Sequence, residues 1–105
     1  MRPERFDKER KVVVDVLSCE DDETLIDAQL AARTIDVSEA GMKVSLYVAV
    51  PENAQLALQL DTESRQFKLQ GEVRWLRDEG ETWIGIRLDE QSPDYLSWRE
   101  AFADL

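Results

Sequence analysis

The sequence predicts a mainly all-β domain, a six-stranded antiparallel β-barrel with a C-terminal α-helix. Three observations predict it. Six short apolar or β-branched runs are separated by polar turn signals, the spacing expected of a small closed barrel. In one of them Met42, Val44, Leu46 and Val48 alternate with Lys43, Ser45 and Tyr47, the period-2 mark of a half-buried strand. At the end of the chain the period changes, and Tyr95, Trp98, Phe102 and Leu105 recur at helical spacing.

A length of 105 residues suits one domain. With 43% hydrophobic and 34% charged residues the chain can bury one modest core, and its apolar content sets it apart from disordered sequences. Residues 1–11 carry alternating charges around a single aromatic, Phe6, and read as a flexible basic N-terminal arm. Residues 12–105 then form the barrel and its helix.

Val12 to Leu17 is apolar and β-branched except for Asp15, which predicts a first strand largely buried on both faces or at its start. The run Cys19-Glu20-Asp21-Asp22-Glu23 breaks it as an exposed acidic turn; without a glycine it does not fit a calcium loop. From Thr24 to Ile35 the apolar residues also fit a helical stripe, but Leu30 to Ile35 runs directly into a polar turn, which favours a second strand over Ala28 to Ile35. The turn itself is Asp36-Val37-Ser38-Glu39-Ala40-Gly41, of pattern D-x-S-x-x-G.

Strand three follows it, ended by Pro51-Glu52-Asn53. Leu56, Leu58 and Leu60 alternate as strand four. Phe67, Leu69, Val73 and Trp75 share one face of strand five if Gly71 marks a bulge or bend. Asp78-Glu79-Gly80-Glu81 is a hairpin turn leading to strand six, Thr82 to Leu88. Ser92-Pro93-Asp94 combines a capping serine, a first-turn proline and a favourably placed carboxylate, which starts the helix. Its aromatic stripe is expected to pack over the barrel mouth.

Composition narrows the function. A formal charge of −10 opposes binding of DNA or RNA polymers, yet five of the 13 basic residues, Arg2, Arg5, Lys8, Arg10 and Lys11, fall in the arm. A local cationic segment on an acidic body suits a small anion. The chain has no histidine, no Gly-rich phosphate loop and no nucleophile elbow, so it is expected to be no enzyme, with no metal and no cofactor. The single Cys19 excludes an internal disulfide and fits a cytoplasmic setting. No run approaches the roughly 20 apolar residues of a membrane span, so no direct membrane insertion is expected.

These residues resemble the PilZ domain, a family of bacterial receptor modules for cyclic di-GMP. The matching segments are Asp36 to Gly41 followed by Met42-Lys43-Val44, then Gly71-Glu72-Val73-Arg74-Trp75, Trp83-Ile84-Gly85-Ile86, and the terminal aromatic helix. The resemblance covers nearly the whole chain and implies a six-stranded PilZ-like barrel that binds cyclic di-GMP as a regulatory module in second-messenger signalling. It departs from the family at the arm. The family pattern there is R-x-x-x-R, whereas Arg5 and Arg10 are five positions apart.

By this resemblance Asp36 and Ser38 hydrogen-bond a guanine edge, Gly41 lets the backbone approach the ligand, and Arg5 and Arg10 close over it, pairing with phosphates and guanine edges. Lys11 and Arg74 flank the site. Trp75 and Trp83, on neighbouring strands, are weighed as packing residues ahead of base-stacking ones. The alternative is a PilZ-like domain that binds no nucleotide and acts through a protein effector.

Overall fold

A computed structural model describes residues 10–20, 23–62 and 65–103. Six strands, β1 (Lys11–Ser18), β2 (Gln29–Val37), β3 (Gly41–Leu46), β4 (Gln55–Asp61), β5 (Gln66–Glu79) and β6 (Glu81–Leu88), precede one helix, α1 (Tyr95–Ala103). All neighbouring strands are antiparallel and close into a barrel in the order β1-β2-β3-β6-β5-β4. Each of the six described strands is paired on both sides, which removes a route to edge-to-edge aggregation.

The period-2 pattern builds the interior. Val12, Val14 and Val16 on β1, Met42, Val44 and Leu46 on β3, and Leu56, Leu58 and Leu60 on β4 are all buried, and Ile84, Ile86 and Leu88 complete the core from β6. Only one face of β1 is buried, because Leu17 points outward and is 48% exposed. The helical alternative for Thr24 to Ile35 is realised only as a 3-10 turn at Glu23–Leu25, and the rest is strand. Cys19 belongs to the core and not to the acidic turn; residues 21 and 22 of that turn lie outside the described residues.

Three register shifts interrupt the strand pairing, and one of them falls between Val16 and Ser18 of β1, opposite Leu56 and Gln55 of β4. In β2 the register slips between Thr34 and Asp36, opposite Val44 and Lys43, so Ile35 is the extra residue. In β5 it slips between Val73 and Trp75, opposite Ile86 and Gly85, so the extra residue is Arg74. The bend expected at Gly71 therefore lies three residues later. Gly71 stays in register between Leu56 and Leu88, where a Cβ would sit 2.6 Å from Ile86 Cγ2 and 2.7 Å from the Arg87 carbonyl. Its hydrogen is needed for close strand packing.

The helix covers one end. Trp98 is fully buried and meets Phe67 edge-on, with centroids 5.2 Å apart and planes at 82°. The expected capping role of Ser92 moves two residues on, because the Trp98 N–H donates to the Asp94 carbonyl at 2.9 Å and makes Asp94 the cap position. Ser92 instead accepts the Gln70 N–H at 2.8 Å, and the Asp94 carboxylate accepts the Lys68 N–H at 2.7 Å. Both bonds fasten the helix start to β5. Tyr95 of the same stripe is partly buried against the core; nothing is described of Leu105 or of the Phe102 side chain.

Candidate functional site

On the outer face of the barrel, β2, β3, β6 and β5 frame a cavity of about 420 Å³. Its floor and walls depend on the bulges in β2 and β5. Ala32 and Thr34 point inward, and unbroken alternation would send Asp36 inward as well; the extra residue at Ile35 returns Val37 to the core and turns Asp36 out, opposite Lys43. The bulge at Arg74 does the same for Trp75. Phe67, Leu69, Gly71 and Val73 face inward, and Trp75, of the same parity, is 38% exposed on the outside.

The polar turn is shorter than its sequence pattern indicates, since β2 runs through Asp36 to Val37 and the connection is Ser38 to Ala40. It is tightly pinned. The Ser38 N–H donates to the Gly41 carbonyl at 2.8 Å, the Gly41 N–H donates to Ser38 Oγ at 3.2 Å, and the Leu88 N–H donates to the Ala40 carbonyl at 2.9 Å. Gly41 is required where it stands, because a Cβ would sit 2.5 Å from the Ile86 carbonyl oxygen. The turn is thus held against β6 and presents Asp36 and Ser38 on a rigid rim.

Opposite that rim, Trp75 covers Gly85, whose missing side chain leaves room for the indole. Three cations, Lys43, Arg74 and Arg87, share the lining with one carboxylate, Asp36. On a chain of net charge −10 this is a local reversal of sign, suited to an anionic ligand. Arg74 Nη1 also pairs with Glu72 at 3.3 Å, Lys43 Nζ lies 5.0 Å from the centroid of Trp83, and Arg77 lies 5.9 Å from that of Trp75.

Of the residues expected from sequence, Asp36, Ser38, Gly41 and Arg74 line this cavity together. Arg10 lies at the barrel end, half-buried, its backbone joined to Thr34. Lys11 is exposed in β1 opposite Arg33 and lines a different depression, with Ser45 and Tyr47. Arg5 and residues 1–9 of the arm lie outside the described residues, whereas Lys11, assigned to the arm, is the first residue of β1.

Sequence reasoning missed Lys43 and Arg87 as site residues and weighed Trp75 as a packing residue. Alternation already places Lys43 and Arg87 on the outward parity of β3 and β6. Trp75 does pack across the strands, on Gly85, but from outside the core. Among the described residues no cluster of acidic or cysteine side chains could hold a metal, and no helix is long and apolar enough to cross a membrane.

The closed antiparallel barrel, its helix and the polar-turn cavity on its flank define a small β-barrel module with an external ligand-sized recess. The family model for the PilZ domain matches residues 4–102, and the chain belongs to the PilZ domain family. Among solved structures it is similar to the PilZ domain of YcgR from Escherichia coli, determined with c-di-GMP. That match has a TM-score of 0.65 and 16% sequence identity, covering 96% of this chain and 88% of the other. At that identity the likeness establishes the fold. No curated protein matches the chain.

Proposed function

We infer that this chain is a cyclic di-GMP receptor module, a regulatory binding domain of the cytoplasm that catalyses no reaction. The observation that carries this reading is the cavity at Asp36 to Gly41, with its outward carboxylate, its cations and its aromatic wall on an otherwise acidic protein. Cyclic di-GMP offers two phosphates for Arg and Lys side chains and two guanines whose N–H donors suit a carboxylate acceptor. Asp36 and Ser38 take the guanine edge, Gly41 admits the ligand to the backbone, and Trp75 offers a flat face to a purine. Lys43, Arg74 and Arg87 neutralise phosphate charge. Arg5 and Arg10 close the arm over the ligand; Lys11, directed toward a different depression, contributes only to the charge of the arm root.

Isothermal titration of the full chain with cyclic di-GMP tests the reading. Saturable 1:1 or 2:1 binding with a micromolar or tighter Kd is expected, and absence of heat at several hundred micromolar ligand overturns it.

The spacing of Arg5 and Arg10 favours a second reading, a PilZ module that engages a protein effector without nucleotide. In that case the titration is flat, and a partner is captured equally well with and without the dinucleotide.

A further inference from the structure

Lys11 and Arg33 are Cα partners in the β1-β2 pairing, and both are exposed on the outer face of the barrel. Side chains so placed have Cβ atoms roughly 5 Å apart, and like charges directly opposite one another destabilise a sheet. The chain has 23 acidic residues with which such a position could be neutralised, and it sets two cations there instead. They line a depression of about 660 Å³ that shares no lining residue with the cavity at Asp36.

Apolar and aromatic side chains adjoin the cations. Next to them on the same outer face is the partner pair Val13 and Ala31, the first half-buried and the second exposed. Tyr47, immediately after β3, is 97% exposed, an aromatic side chain left almost wholly in water. Among the described residues of the lining Glu81 alone is acidic, and its carboxylate accepts the Ser45 hydroxyl at 2.8 Å. The strands here are paired on both sides, so the face offers a partner side chains and not free main-chain groups.

We propose that this depression is a docking site for a short acidic segment of a partner protein, its carboxylates pairing with Lys11 and Arg33 and an apolar side chain seated on Val13, Ala31 and Tyr47. Charge complementarity chooses the occupant. Two cations side by side suit neighbouring carboxylates, and Tyr and Arg are among the residues that most often carry binding energy at protein interfaces. A purine base would need donors and acceptors along its edge, whereas the two hydroxyls on the strands, of Ser45 and Thr82, are already donated to Glu81 and Asp78. The cations act on a segment of a few residues within the Debye length, about 8 Å at physiological salt, while a long polyanion would also meet the acidic remainder of the surface. The site is independent of the cyclic di-GMP reading of the cavity.

The probe is an acetylated peptide, Glu-Asp-Phe-Glu-Asp-Leu-Glu-Asp, titrated into the full chain without nucleotide and followed by amide NMR shifts. Saturable shifts at Lys11 to Val13, Ala31 to Arg33 and Ser45 to Tyr47 are expected, with a Kd on the order of 100 µM. Arg33→Glu should raise that Kd at least about fivefold, and so should Tyr47→Ala, a change at so exposed a side chain that the core is left intact. A peptide with Ala in place of Phe and Leu should lose a similar factor. Absence of shifts at about 1 mM peptide, shifts confined to Asp36 through Lys43, or a Kd unchanged in both variants overturns the proposal. So does occupation of the same amides by cyclic di-GMP in place of the peptide, or by a second copy of the chain, seen as shifts that depend on protein concentration alone. Because the peptide titration contains no nucleotide, its outcome is read separately from that of the cavity at Asp36.

Discussion

The indole of Trp75 lies over Gly85 on the neighbouring strand, in the space a side chain at that position would fill. This pairing exists because the bulge at Arg74 turns Trp75 out of the core and because residue 85 lacks a Cβ. The aromatic wall of the cavity is therefore specified jointly by two strands. Gly85→Ala should displace the ring, costing about 1 to 3 kcal/mol of stability as an overpacking substitution. Urea denaturation checks it, and an unchanged midpoint would show that the ring moves away freely.

Trp75 itself should matter more for ligand than for stability, being partly exposed. Base stacking on an aromatic side chain contributes about 1 to 3 kcal/mol, so Trp75→Ala is expected to raise the Kd for cyclic di-GMP at least about fivefold. Titration of the variant measures this directly. A Trp75→Phe variant should recover most of the loss, which separates stacking from a change in barrel shape.

Arg10 and Asp36 stand for the two halves of the proposed site. Charge-assisted hydrogen bonds contribute about 1.5 to 3 kcal/mol each, so Arg10→Ala and Asp36→Ala are each expected to weaken binding by about tenfold or more. The Asp36 side chain faces outward, and the fold of that variant, followed by circular dichroism, should be retained. Equal affinity in either variant would remove that residue from the site.

The fold was legible because alternation in β3, β4 and β6 is regular, and regular alternation needs only side-chain chemistry to be read. The bulges were not. A bulge is one extra residue whose only mark is a change of parity, and at Gly71 the glycine drew the expected bend to a position that close packing against Ile86 and Arg87 had already claimed. That displacement hid Trp75 in the expected core. Asp36, Ser38 and Gly41 were recognisable from a local string, whereas Lys43 and Arg87 join the cavity only through the β2-β3-β6 register. Ser92 looked like a cap because Pro93 and Asp94 follow it, yet its hydroxyl is engaged by Gln70 across the chain, a contact no local pattern encodes.

The reversal of charge at the cavity should make binding depend on ionic strength. Lys43, Arg74 and Arg87 line a cavity open to solvent, where the Debye length falls from about 10 Å at 0.1 M salt to about 3 Å at 1 M. Over that range the Kd for cyclic di-GMP should rise, and Arg87→Gln should both weaken binding and flatten the dependence. Arg99→Gln serves as the control: this exposed residue of α1 lies outside the cavity lining and should leave both quantities unchanged. Titrations at several salt concentrations provide the slope. A salt-independent Kd would mean that the cations do not meet the phosphates and that affinity resides in Asp36, Ser38 and the Trp75 face.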